Sequence, residues 1–209
     1  MARRLAFRAF PYLFFCVLTP VFPPAHAQSF DYYVLTLSWS PEFCHENPSN
    51  RSDECSAAGP AGFVVHGLWP TNTDGSDPRN CSGTPFDPSA VPENVTSIMP
   101  RAIYAHEWET HGVCSGLGER DYFQEIATLS RRLVIPIRNT GADQHIAPSA
   151  LRTQFSKANP GWPPSAFSIQ DRRNSLVAVK ACMSRSFAPI SCPHHGDTRN
   201  TPITVRAGP

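Results

Sequence analysis

Two short segments carry side chains able to move protons. One is His66-Gly67-Leu68-Trp69-Pro70, and the other is His106-Glu107-Trp108-Glu109-Thr110-His111-Gly112-Val113-Cys114. The second reads as a helix over 101–111, with Gly112 placed to end it. At about 100° per residue, Glu107 and His111 lie four apart on one helix face, where a carboxylate can bond an imidazole and set its tautomer. His106 and His111 are five apart and point about 140° from each other on that geometry. A zinc-binding H-E-x-x-H helix needs its histidines four apart, so this spacing argues against a metal pair. Imidazoles, a carboxylate and no metal suit cleavage of a chain that carries its own nucleophile. The 2′-OH of RNA is such a nucleophile. A base removes its proton, an acid protonates the departing 5′-oxygen, and a cation steadies the charge that develops on phosphorus. DNA has no 2′-OH, so this set of groups predicts no DNA cleavage.

Several elements must position these groups. Tyr32 to Trp39 is aromatic and β-branched, a central strand. A loop is expected from there through Pro60, then a short strand over Phe63 to Val65 leading into His66. Residues 71–92 form a long polar loop held by Cys81. Asp121 to Val134 repeats apolar residues at helical spacing, and Pro148 to Phe155 predicts a third helix. Strands return over 166–169, 176–183 and 203–206. This order predicts an α+β fold, a largely antiparallel central sheet flanked by helices. The 22 prolines and 12 glycines favour long ordered loops over a helical bundle.

The first 27 residues read as a secretory signal. Arg3, Arg4 and Arg8 precede a short apolar run from Phe10 to Val21, and Ala25-His26-Ala27 is a small-x-small cleavage site. The mature chain is expected to start near Gln28 and to form one domain over 28–209, secreted or periplasmic, with no membrane span. Loss of three arginines takes the formal charge from +1 to −2, which excludes a general polyanion binder. Cys16 leaves with the leader. Cys44, Cys55, Cys81, Cys114, Cys182 and Cys192 remain, an even number that implies disulfides in an exported chain. Short-range closure favours Cys44–Cys55 and Cys182–Cys192, leaving Cys81–Cys114, although six cysteines allow fifteen pairings. No C-x-x-C pair suggests zinc.

The two histidine segments resemble the active-site segments of the ribonuclease T2 family in composition, order and separation. The strand ending at Trp39, the turn Ser40-Pro41-Glu42-Phe43-Cys44 and the ending from Cys182 to Cys192 are similar to that family as well. The resemblance implies metal-independent, cofactor-free endonucleolytic cleavage of single-stranded RNA through a 2′,3′-cyclic phosphate to 3′-phosphate ends. It implies His111 as base and His66 as acid in the first step, with Glu107 orienting His111 and stabilising the phosphorane. It implies His106 as a phosphate ligand and Trp69 as a stacking surface for a base, and it supports the Cys81–Cys114 bridge. Trp108 reads as core packing. Two departures stand out. Thr110 occupies a position where many members carry lysine, and Thr71 one where some carry an acidic base-recognition residue. Thr110 motivates an alternative, a weakly active or inactive RNA-binding protein on the same scaffold. A zinc hydrolase using His66, His106 and His111 is a further alternative. His194 and His195 read as loop residues, His45 and His145 carry no signal, and Asn50, Asn80 and Asn94 head glycosylation sequons. A monomer is the expected state.

Overall fold

The computed structural model describes residues 29–50, 52–56, 62–194 and 200–208. The expected leader over 1–27, Cys16 and His195 lie outside the described residues.

The sheet is built on β1 (Tyr32–Trp39), which pairs antiparallel with β2 (Phe63–Thr71) on one side and β5 (Ser175–Ser184) on the other. β4 (Phe167–Arg172) pairs antiparallel with β5, and β3 (Gln144–Ile146) with β6 (Ile203–Val205). A single parallel contact, Ser175 with Thr204, joins β5 to β6. The path is β2-β1-β5-β6-β3 with β4 branching from β5, so the fold is α+β with a largely antiparallel sheet. Among the described residues, no helix is long and apolar enough to cross a membrane.

Several boundaries differ from expectation. β2 runs six residues past Val65, through Pro70, because it is an edge strand. Proline there costs no ladder bond, since its nitrogen need not face a partner. The expected loop after Trp39 begins instead with a helix, α1 (Ser40–Glu46), which Pro41 initiates in its first turn. The helix expected over 101–111 is a 3₁₀ turn (Arg101–Ile103) followed by α2 (Tyr104–Thr110). His111 leaves it at φ −119° and a second 3₁₀ turn follows over Gly112–Cys114. Gly112 is needed for space: a Cβ there would lie 2.3 Å from Trp108 Cε3. β3, too short for a periodicity signal, was not expected.

α3 (Glu119–Arg132) carries acids in its first turn and arginines in its last, both favoured by the helix dipole. It buries Tyr122, Phe123, Ile126, Ala127 and Leu129 against the sheet. α4 (Pro148–Ala158) buries Leu151 and Phe155 beside them. Tyr33, Leu35, Leu37 and Trp39 of β1 and Val179, Ala181 and Met183 of β5 face this layer. Each such large side chain contributes about 1.5–3 kcal/mol on leaving water. The opposite face keeps only a small apolar cluster around Tyr32, Val34 and the Cys182–Cys192 bridge. The three disulfides are Cys44–Cys55, Cys81–Cys114 and Cys182–Cys192, as closure favoured. Cys81–Cys114 ties the long loop to the chain just beyond α2.

Candidate active site

His66 is displayed by a β-bulge. Thr36 of β1 lies opposite Gly67 and Leu37 opposite Val65, which leaves His66 as the extra residue of β2. Strict alternation would place His66 on the same face as Leu68, in the core. The bulge sends Val65 and Leu68, three apart, to the core together and frees His66 for the other face. There one ring nitrogen is hydrogen-bonded and the other faces a carboxylate. Ser38 Oγ lies 3.0 Å from Nδ1, and Glu107 Oε1 lies 3.3 Å from Nε2. The imidazole stays 38% exposed, while Glu107 is fully buried.

Glu107 therefore pairs with His66, not with His111 as helix spacing predicted. Its second oxygen accepts a hydrogen bond from Trp69 Nε1 at 2.8 Å. His111 bonds Glu107 only through the backbone, its N–H donating to the Glu107 carbonyl at 3.1 Å. The reason is the helix end: His111 has left helical φ, so its side chain no longer follows the four-residue line. The same departure corrects the expected 140° divergence of the two helix histidines. Their ring centroids are 6.4 Å apart, edge to face. Gly67 makes the Glu107 contact sterically possible. A Cβ there would sit 1.9 Å from Glu107 Oε2 and 2.7 Å from Trp69 Nε1.

Trp69 braces the site. Its ring stacks on His111 at 5.0 Å and 24°, meets His66 edge-on at 5.7 Å, and has Lys180 Nζ 5.0 Å from its centroid. His111 is 2% exposed. Burial, the largest cause, pushes its pKa down to about 4, helped by the charges of Arg79, His106 and His66 and opposed by Glu107. Its Nδ1 is buried with no hydrogen-bond partner among the described residues. Such an orphan in a native site marks a place for substrate, water or catalysis. His106 is exposed and near Thr110 Oγ1, at 3.4 Å from its Nδ1. Trp108 is core, donating Nε1–H to the Thr84 carbonyl at 2.9 Å.

Beside this cluster the polar face of the sheet holds a cavity of about 300 Å³ lined by Trp69, Thr71, Asp77, Gln170, Lys180 and His194 among others. Burial lowers the Lys180 pKa, and Asp77 counters this. The sequence reading did not single out Ser38, Arg79 or Lys180. Lys180 had a signal, as the one charge within an apolar strand run. Ser38 and Arg79 had none, because their roles depend on strand register and loop path. Among the described residues no group of three or more His, Cys, Asp or Glu is arranged to hold a metal ion.

The comparisons with known proteins agree with this fold. Residues 30–159 match the model of the ribonuclease T2 family. A ribonuclease of Aeromonas hydrophila is 43% identical over 112 residues, covering 54% of this chain and 50% of that protein. Ribonuclease 1 of Arabidopsis thaliana is 29% identical over 204 residues, covering 85% of this chain and 86% of its own length. A variant of RNase MC1, the ribonuclease from bitter gourd seeds, solved with 5′-UMP, superposes with a TM-score of 0.69 at 21% identity. That match covers 84% of this chain and 98% of that one. The chain spans about half the length of the bacterial ribonucleases it matches. An α+β fold of this topology, carrying the two histidine segments on one face, defines the class, and the chain belongs to the ribonuclease T2 family.

Proposed function

We propose that this protein is an endoribonuclease that cleaves single-stranded RNA by acid–base transphosphorylation without a metal or cofactor. The observation that carries the reading is one buried neutral imidazole, His111, held by Trp69 beside a second imidazole, His66, that is paired with a buried carboxylate. In the first step His111 takes the proton of the 2′-OH. The 2′-oxygen forms a bond to phosphorus, and the bond to the 5′-oxygen breaks as His66 gives that oxygen its proton. The product is a 2′,3′-cyclic phosphate. In the second step His66 takes a proton from water, the water oxygen bonds to phosphorus, and the bond to the 2′-oxygen breaks as His111 returns a proton to that oxygen, leaving a 3′-phosphate. Ser38 holds His66 at Nδ1, which leaves Nε2–H to go to the 5′-oxygen, and the Glu107 carboxylate 3.3 Å from Nε2 favours the protonated ring, so Glu107 acts through His66 and Trp69. His106, exposed beside His111, is placed to bind a phosphate oxygen. Trp69 is first a positioning residue for His111 and Glu107, and its flank on the cavity offers a surface to a base. The nucleotide bound by the RNase MC1 variant supports RNA as the substrate class.

Export is part of the proposal. Three disulfides fit an oxidising compartment, secreted or periplasmic, with cleavage of a leader near Gln28 and one catalytic domain, acting as a monomer, over 28–209. N-terminal sequencing of exported protein checks the cleavage point.

The deciding experiment incubates oxidised protein with single-stranded RNA in excess EDTA across pH 4 to 8, beside His111→Ala. Cyclic-phosphate ends that EDTA leaves untouched, with kcat lower by about 10²–10⁴ in the variant, are expected. RNA binding without turnover would replace this reading with an RNA-binding protein, and loss of activity in EDTA would replace it with a metal hydrolase.

A further inference from the structure

Transphosphorylation concentrates negative charge on the non-bridging oxygens of the scissile phosphate, and a fixed cation aimed at them is worth much of the rate. The proton-moving pair does not supply one throughout, since His111 is neutral above about pH 4. Thr110, at the end of α2, is neutral and its hydroxyl is turned to His106. Lys180 sits against Trp69 on β5, opposite Thr36, and lines the cavity.

The long loop brings a different cation to that end. Asn80, in the left-handed region at φ 53°, donates its backbone N–H to the Thr110 carbonyl at 2.9 Å. The next residue, Cys81, is bridged to Cys114, and its N–H reaches the Cys114 sulfur at 3.3 Å. These ties press residues 80 and 81 onto the turn where His111 leaves α2, and Arg79 is the residue directly before them. Its side chain is 55% exposed. Its ion partner, Asp77, lies 3.8 Å away, too far for a tight two-point pair, so the guanidinium keeps donors for another ligand. Asp77 lines the cavity that Trp69 and Lys180 share. Arg79 thus neighbours that cavity through Asp77, and its charge lowers the pKa of both His111 and Lys180.

We infer that Arg79 is the catalytic cation of this site, its guanidinium gripping the non-bridging oxygens of the scissile phosphate as their charge grows. The inference rests on the ribonuclease reading above. A guanidinium is permanently charged, and its planar fork matches two phosphate oxygens, so it delivers charge without depending on either histidine.

The test uses the oxidised full-length protein with two substrates: a dinucleoside monophosphate, whose single phosphate is the scissile one, and long single-stranded RNA. Arg79→Ala is expected to lower kcat on the dinucleoside monophosphate by about 10²–10³, with KM little changed. Arg79→Lys is expected to recover part of the loss. Adding Thr110→Lys to Arg79→Ala is expected to recover part as well, because position 110 adjoins the same turn. The acidic limb of kcat/KM is expected to move to higher pH in Arg79→Ala, since one of the charges acting on His111, with Glu107, His66 and His106, is gone. Full activity of Arg79→Ala on the dinucleoside monophosphate, with loss only on long RNA, would overturn the inference and make Arg79 a contact to flanking phosphates. Equal loss in Arg79→Lys and Arg79→Ala, with a lowered Tm and an unmoved pH profile, would overturn it in favour of a structural role. A wild-type protein that cleaves neither substrate would bring down the ribonuclease reading itself. Active wild type with an unaffected Arg79→Ala would remove only the role of Arg79.

Discussion

Alternate residues of one strand serve opposite ends in this molecule. Tyr33, Leu35, Leu37 and Trp39 of β1 enter a close-packed layer under α3 and α4. Thr36 and Ser38, between them, face the side that carries His66, Trp69 and Lys180. On the packed face regular alternation suffices, because any apolar side chain of suitable volume gains from burial. On the polar face regularity is broken at His66, helical geometry is broken at His111, and a buried carboxylate is placed where only Gly67 leaves room. The comparison teaches that stability here is spread over many contacts, while the candidate site is built from a few departures from regular geometry.

Changes to each face should therefore separate stability from activity. The largest effect is expected from Phe155→Ala on the packed face. Phe155 is fully buried against Phe63 and Phe167, and its truncation is expected to cost about 3–5 kcal/mol in urea unfolding. The activity per folded molecule should be unchanged. A fall in specific activity as large as that in His111→Ala would break the division between faces.

The polar face has its own energetic signature. Held near 4 when folded and near 6.5 when unfolded, His111 takes up a proton in the unfolded chain first as pH falls. Its contribution is fully present above about pH 6.5, declines through the window down to about pH 4, and amounts to about 3 kcal/mol. Urea midpoints at pH 7, 5.5 and 4 should show this loss in the wild type, and His111→Gln should lack that part of it. Parallel curves for the two proteins would show that His111 is not buried neutral.

The smallest effect should come from Ser38→Ala. It removes the hydroxyl at His66 Nδ1 and nothing from the core. A hydrogen bond of about 0.5–1.5 kcal/mol corresponds to a fall of about 2- to 12-fold in kcat/KM, with Tm close to wild type. Unchanged kcat/KM would show that Glu107 alone orients His66.

The local elements were legible in the sequence wherever their signal was local. β1 occupies the residues its β-branched and aromatic run marked, and α3 lies within two residues of its apolar period. The disulfides followed from short-range closure because two of the three loops are only 11 and 10 residues long. α1 was hidden by a stretch rich in turn-forming residues, and β3 by its three-residue length. In the site, His66, Glu107 and His111 come together as their types suggested, yet the partner of Glu107 was assigned to the wrong imidazole. Spacing on an ideal helix cannot register that the helix stops at Thr110. Arg79 lay in a polar loop with no pattern to single it out.

Residue chemistry and local periodicity were thus the sequence's own contribution. They determined which groups can move protons, which stretches must be helix or strand, and that neighbouring cysteines can close short loops. Their energies arise between near neighbours in the chain and can be read from spacing. The tertiary structure alone decided which carboxylate oxygen meets which imidazole, that His111 is buried and neutral, and that Asn80 and Cys81 are tied to the end of α2. Those outcomes depend on a one-residue bulge, a helix that ends early and a disulfide across 33 residues. Each sets distances between chain segments far apart in sequence, where shifts of an ångström change the chemistry and spacing carries no information.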